Sequence, residues 1–102
     1  MSTNATIEVE GVNHAIIYKH WDGYPEATLP WLKKFNEEFT RNRGDDPDYK
    51  LAQLLRSSVS DAAEFNLDTS KETGWGLYPY SDCNGFDYHY ILKKDGSVVV
   101  EH

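Results

Sequence analysis

The spacing of apolar residues changes twice along this chain, from every second position to a helical period of about 3.6 and back, and this limits the possible folds more than any other feature. Residues 6–10 read Thr-Ile-Glu-Val-Glu, with apolar side chains at alternate positions. Residues 15–20 continue an extended pattern with β-branched and aromatic side chains. We expect two strands joined as a hairpin by an irregular turn at residues 11–13, with one long bulged strand as the alternative.

A first helix is predicted over residues 29–43. Thr28 is expected to be its N-cap, and Pro30 falls in the first turn, where a missing N–H costs little. Gly44 suits the C-terminal end. The helix is amphipathic, because apolar residues recur at spacings of three and four at Leu32, Phe35 and Phe39.

A second helix is predicted over residues 47–65. Asp46 followed by Pro47 is typical of an N-cap and a first helical residue. One helical face carries apolar side chains at Tyr49, Ala52, Leu55, Val59 and Ala62 or Ala63, and Leu51 and Leu54 widen it. We expect the core between helices and sheet to include Leu32, Phe35, Phe39, Leu55 and Val59.

The alternating period returns after the polar connection at residues 67–74. Residues 75–80 predict a strand whose Pro79 confines it to a sheet edge or a bulge. Residues 86–93 predict another strand, with one face formed by Phe86, Tyr88, Tyr90 and Leu92. Asp95-Gly96 before the valines of residues 98–100 is a strong hairpin signal.

The predicted element order is β-β-α-α-β-β-β, with the helices segregated from the strands. This order is typical of an α+β fold. We expect a largely antiparallel sheet of about five strands with both helices on one face. The 102 residues fit a single domain over residues 1–102.

Charge and cysteine content limit the kinds of partner and the cellular compartment that we expect for this chain. The net charge of −7 and the lack of a basic stripe argue against nucleic-acid binding. An acidic surface keeps a protein soluble or complements a basic partner. We expect no membrane association, because the longest apolar runs have three residues, as at residues 15–17. A lone Cys83 and an N-terminus without a signal-peptide pattern favour the reducing cytoplasm.

The densest group of aromatic and polar side chains lies at residues 18–26, at the end of a predicted strand. Asp22-Gly23-Tyr24-Pro25 predicts a tight turn in which Gly23 tolerates a positive φ. Strand-end loops are where rigid scaffolds present functional groups. The predicted binding residues are Tyr18, His20, Trp21, Asp22 and Tyr24.

The run from Tyr18 to Pro25, Tyr-x-His-Trp-Asp-Gly-Tyr-Pro, also resembles a signature carried by a family of small uncharacterised bacterial and phage-encoded proteins. The resemblance covers this segment and, more loosely, the helix after it. It implies that the turn is important and implies no activity.

Several chemistries are conceivable at this turn. His20 and Asp22 could form an imidazole–carboxylate pair, although Asp22 could equally bond the turn backbone while His20 packs locally. Cys83 would need His89 or His20 beside it to act as a nucleophile. No metal-binding spacing occurs among the possible ligands, so we expect no metal and no cofactor. Those ligands are His14, His20, His89, Cys83, Asp22 and Asp82.

Two classes of function therefore remain. The favoured one is a binding or interaction module for an unknown protein or peptide partner. A basic partner would complement the acidic chain, and a homodimer is also possible. The alternative is a small enzyme that uses His20 and Asp22, together with Cys83 or His89.

Overall fold

The structure, a computed structural model, describes residues 3–20, 22–57, 75–79 and 86–101. These residues form five strands and two helices in the order β-β-α-α-β-β-β, which confirms the predicted α+β class. The elements are β1 (Ala5–Val9), β2 (Ala15–Lys19), α1 (Pro25–Arg43), α2 (Pro47–Ser57), β3 (Trp75–Pro79), β4 (Tyr88–Leu92) and β5 (Val98–Glu101).

The strands form one sheet in the order β3-β2-β1-β4-β5. β1 and β2 pair antiparallel, so the hairpin interpretation is confirmed and the single bulged strand is wrong. β2–β3 and β4–β5 are also antiparallel. β1 and β4 pair in parallel, from Ala5 opposite Tyr88 to Val9 opposite Leu92. β3 lies at a sheet edge, as its Pro79 predicted.

Both helices pack on one face of the sheet, which we call the helix side. Alternate strand residues point there, and those of the inner strands are fully buried, as with Ile7, Ile17 and Tyr90. They meet Leu32 of α1 and Leu51 and Leu54 of α2. The opposite face, which we call the far side, carries the intervening residues Thr6, Glu8, Ile16, Tyr18, Tyr78, His89, Ile91, Val99 and Glu101.

The start of α1 differs from the prediction. The helix begins at Pro25 with Tyr24 as N-cap, four residues before the expected start. Proline favours the first helical position because its φ is already helical. Thr28 is not the cap: its N–H donates to the Tyr24 carbonyl, and its hydroxyl donates to the Asp22 carbonyl at 2.6 Å. Pro30 consequently lies inside the helix.

The buried face of α2 also differs from the prediction. Leu54 is fully buried and Leu51 nearly so, whereas Leu55 only borders the core and Tyr49 is 39% exposed. The helix is rotated so that Lys50 is buried as well, with its ammonium 5.5 Å from the Phe39 ring centroid. Tyr49 is thereby left at the surface. Val59 and the predicted helix end near residue 65 lie outside the described residues.

The core predicted for α1 is largely confirmed. Leu32 and Phe39 are buried, and Phe35 is partly buried against the core. Arg43 is the last helical residue, and the Gly44 N–H donates to the Thr40 carbonyl.

The β4–β5 hairpin forms at Asp95-Gly96, as predicted. Gly96 has φ 97°, and the Lys93 N–H donates to the Ser97 carbonyl at 2.8 Å. The buried Asn36 amide of α1 donates to the Lys93 and Ser97 carbonyls at 3.0 and 2.8 Å. One side chain of α1 thus holds both ends of the turn.

Leu54→Ala should lower the free energy of unfolding by about 2–5 kcal/mol, because it leaves a cavity in the core. Leu77→Ala is the matched control, since Leu77 is 55% exposed, and should cost less than about 0.5 kcal/mol. Urea unfolding of both variants measures the difference. Equal losses would contradict the described orientation of α2.

Candidate functional site

The turn between β2 and α1 is fastened to the sheet by backbone groups. The Gly23 N–H donates to the Thr3 carbonyl at 2.8 Å, and the Tyr90 hydroxyl of β4 donates to the Gly23 carbonyl at 2.5 Å. Burial raises the pKa of Tyr90 to about 12. With the Thr28 hydroxyl on the Asp22 carbonyl, these bonds fix the path of the chain into α1.

Glycine is needed at position 23, but the reason predicted for it, a positive φ, is wrong. The positive φ belongs to Asp22, at 55°, and not to Gly23. Aspartate tolerates this left-handed conformation better than most residues do. A Cβ at Gly23 would lie 2.8 Å from the Ala5 Cβ and from the Asn4 carbonyl carbon. Glycine is therefore required because the turn approaches β1 so closely.

The predicted binding residues occupy different surroundings. The Tyr18 hydroxyl and His20 Nδ1 lie 2.6 Å apart on the far side of the sheet. Asp22 is exposed, and Tyr24 is 38% exposed at the start of α1. Trp21 lies outside the described residues.

Asp22 exerts its charge on Lys19 of β2. Burial lowers the pKa of the Lys19 ammonium, and the Asp22 carboxylate partly opposes this. The ammonium lies 4.7 Å from the centroid of the Trp75 ring. His20 Nδ1 bonds the Tyr18 hydroxyl on the far side, and the imidazole–carboxylate pair of His20 with Asp22 stays a prediction.

Three aromatic rings, those of Tyr18, Tyr78 and Phe86, pack together on the far side, and we call them the aromatic cluster. Tyr18 and Tyr78 stack at a centroid distance of 5.0 Å and an interplanar angle of 19°. The Phe86 ring lies 5.2 Å from Tyr18 and 6.1 Å from Tyr78. All three side chains are half-buried.

The position of Phe86 corrects the sequence prediction, which grouped it with Tyr88, Tyr90 and Leu92. β4 begins only at Tyr88, and residues 86–87 form a bend that interrupts the alternation. Asn4 fixes this bend: its N–H donates to an Asp87 carboxylate oxygen at 3.2 Å, and its side-chain oxygen accepts the Asp87 N–H at 3.0 Å. Phe86 is thus turned towards Tyr18.

Gly76 of β3 makes room for the aromatic cluster. It lies opposite Tyr18 in the strand register. A Cβ there would lie 3.3 Å from Tyr78 Cε1 and 3.8 Å from Tyr18 Cδ2. Because Gly76 has no side chain, the Tyr78 ring can lie over it and stack on Tyr18.

A hydroxyl, an imidazole and a carboxylate are joined beside this cluster. Thr6 Oγ1 lies 2.7 Å from His89 Nδ1, and His89 Nε2 lies 2.9 Å from Glu8 Oε1. The register places Thr6 between Tyr18 on one side and His89 on the other. Such a chain of groups can orient an imidazole and pass a proton along it.

Burial restricts the chemistry of this group. Thr6 is completely buried, so its hydroxyl is not accessible as a nucleophile. Thr6 and Glu8 were not among the predicted site residues. The polar alternation in residues 6–10 was the signal that could have shown them to share one face.

No three His, Cys, Asp or Glu residues in the described ranges are grouped so that they could hold a metal ion. Cys83 and Asp82 lie outside those ranges. Neither α1 nor α2 is long and apolar enough to cross a membrane.

Comparison with protein-family models found no match for the chain, and searches of curated proteins and of solved structures found nothing similar to it. The resemblance of residues 18–25 to a family of small bacterial and phage-encoded proteins therefore stays a prediction.

Gly23→Ala should destabilise the fold by about 2–3 kcal/mol, because the new methyl group overlaps backbone and Ala5 atoms that cannot move independently. Lys33→Ala is the control, because Lys33 is exposed on α1 and a surface substitution of this kind should cost less than about 0.5 kcal/mol. Thermal unfolding compares the two. A milder effect at Gly23 would argue against the close approach of the turn to β1.

Tyr90→Phe should cost about 1–3 kcal/mol at neutral pH, because it leaves the buried Gly23 carbonyl without its donor. It should also change the response to alkali. The pKa of Tyr90 is about 12 in the folded state, against about 10 for an unfolded tyrosine. The contribution of Tyr90 to stability is therefore complete below pH 10 and falls as the pH rises towards 12.

The measurement for this second effect is the free energy of unfolding as a function of pH. The variant should lose less stability than the wild type between about pH 10 and 12. Parallel curves for the two proteins would show that Tyr90 ionises equally in the folded and unfolded states.

Proposed function

We propose that the chain is a small binding module that engages a basic protein or peptide segment through the far side of its sheet, around the aromatic cluster and His20. The observation that carries this proposal is the half-buried stack of Tyr18 and Tyr78 with Phe86, on the sheet face opposite the two helices. Clustered aromatic side chains are typical anchors of recognition surfaces.

The electrostatics favour a cationic partner. Aromatic rings attract ammonium and guanidinium groups over their faces. The same end of the sheet carries the exposed Asp87 beside Phe86, and Glu8 lies on the far side as well. The whole chain has a net charge of −7, which speeds the encounter with a basic partner.

The contacts of the histidines support binding over the small-enzyme alternative. An enzyme based on His89 would use it to activate the Thr6 hydroxyl, but Thr6 is completely buried and out of reach of a substrate. His89 also bonds Glu8, and His20 Nδ1 bonds the Tyr18 hydroxyl. These bonds hold the imidazoles in place, as a preorganised recognition surface requires.

We also propose that the protein works in the cytoplasm. The support is the single cysteine, Cys83, which cannot form an intrachain disulfide. Small secreted domains commonly depend on such bridges, whereas reducing compartments favour chains without them.

Tyr78→Leu should weaken binding of a basic peptide about tenfold, which is the loss of roughly 1.4 kcal/mol of cation–aromatic attraction. An oligo-arginine octapeptide is the probe, and NMR titration of the isotope-labelled protein is the measurement. Signals of Tyr18, Tyr78, Phe86 and His20 should shift, and salt should weaken the interaction.

Leu77→Ala, on the helix side of the same strand, is the control and should bind like the wild type. The thermal midpoint of each variant checks that folding is unchanged. An unaltered affinity in Tyr78→Leu, or shifts confined to the helices, would refute the proposed surface. An oligo-glutamate peptide that binds as tightly would refute the preference for basic partners.

A further inference from the structure

We propose that β5 pairs with β5 of a second copy of this chain, antiparallel and about a two-fold axis at Val99, so that two sheets become one. The proposal concerns the sheet edge farthest from Tyr78 and does not depend on the proposed function.

The two edge strands of the sheet differ in how well they resist pairing. Edge strands expose unpaired backbone groups, and natural proteins block them with proline, lysine or inward-pointing charges. β3 carries Pro79. β5 reads Val-Val-Val-Glu, with no proline and its one charge at the last residue, Glu101, and its central Val99 is 40% exposed. Of the two edges in the described part of the sheet, β5 is therefore the one less protected against pairing with another strand.

The hydrogen-bond pattern shows which groups of β5 face outward. The Lys93 N–H donates to the Ser97 carbonyl, which makes residues 93 and 97 a hydrogen-bonded pair. Because such pairs alternate along an antiparallel ladder, Ile91 and Val99 form the next one. The backbone groups of Val98 and Val100 therefore point away from β4, towards the free edge.

A two-fold axis at Val99 satisfies these outward groups. It places Val98 opposite Val100 of the second copy, on each side of the axis, so that both residues can exchange backbone hydrogen bonds. The two Val99 side chains then meet on the far side as a non-hydrogen-bonded pair, where side chains come closest. β-branched pairs of this kind stabilise antiparallel sheets.

The charges are compatible with this register. Glu101 lies opposite Ser97 of the second copy, so no like charges stand directly opposite each other. The Asp95 carboxylate is nearby, but it already accepts bonds from the Ser97 N–H and hydroxyl. Each copy nevertheless carries −7, so long-range repulsion opposes the pairing and salt should relieve it.

The resulting interface is small. One short strand pair buries well under the roughly 1,200 Å² of a standard stable interface, so the dimer should be weak and should depend on protein concentration. The effect of salt distinguishes dimerisation from the binding of a basic peptide, because salt strengthens the pairing of two acidic chains and weakens the attraction of a basic peptide.

Disulfide crosslinking tests the register directly, in a Cys83→Ser background. In Val99→Cys the two cysteines face each other at a Cα separation of about 4.5 Å, within the range that a disulfide bridges. In Val98→Cys they are offset by two positions, about 7 Å along the strand alone, which is too far. Leu77→Cys, also exposed, measures random collisions.

Under mild oxidation Val99→Cys should form a covalent dimer at least tenfold faster than the other two variants, and faster at higher salt. Sedimentation should also show a concentration-dependent dimer of the wild type that Val99→Lys abolishes without a change in thermal midpoint. Equal crosslinking rates for the three cysteine variants, or a wild type that stays monomeric at millimolar concentration in high salt, would overturn the proposal. Faster crosslinking of Val98→Cys would also overturn it, because the register would then differ.

Discussion

The parallel pairing of β1 with β4 is the interaction on which the rest of this structure depends. It joins the N-terminal hairpin to the C-terminal one and makes β1 the centre of the sheet. The same pairing brings Tyr90 below the turn that leads into α1, where its hydroxyl holds the Gly23 carbonyl. It also sets His89 beside Thr6 and Glu8. The register of β1 against β4 thus determines the core, the position of the turn and the polar group of Thr6, His89 and Glu8 on the far side.

Much of the fold could be predicted from local patterns in the sequence. The alternation around Ile7 and the Asp95-Gly96 pair predicted the two hairpins, because each of these signals acts over only a few residues of sequence. Local rules failed where two of them competed. Thr28 and Pro25 both suit a helix start, and the helix begins at Pro25, while the Thr28 hydroxyl donates to the Asp22 carbonyl and does not accept a backbone N–H as an N-cap would.

The rotation of α2 shows a different limit. Its apolar residues permit more than one buried face, and the choice falls on the one that also buries Lys50 beneath the β4–β5 turn. There the ammonium lies 3.5 Å from the Lys93 carbonyl oxygen. Burial lowers the pKa of this ammonium, while Asp45, Glu10 and Asp95 oppose the shift. No periodicity rule places a lysine in such a position, since its stem is apolar and its charge is not.

The candidate site was only partly visible in the sequence for a related reason. Tyr18 and His20 stood out because they are close together along the chain, and they do bond each other. Tyr78 and Phe86 lie 60 and 68 residues after Tyr18, and only the pairing of β2 with β3 and the bend before β4 bring them to it. A bend of two residues was enough to move Phe86 from one face of the sheet to the other.

Every residue of β1 that pairs with β4 lies 83 positions before its partner. Such long-range pairing costs loop-closure entropy before it returns any stabilisation, and it is slow to form. During synthesis the N-terminal hairpin is made first, yet one side of β1 has no neighbour until residues 88–92 have left the ribosome. Until then, the strand that becomes the centre of the finished sheet is an open edge, and its apolar residues Ile7 and Val9 are exposed to aggregation.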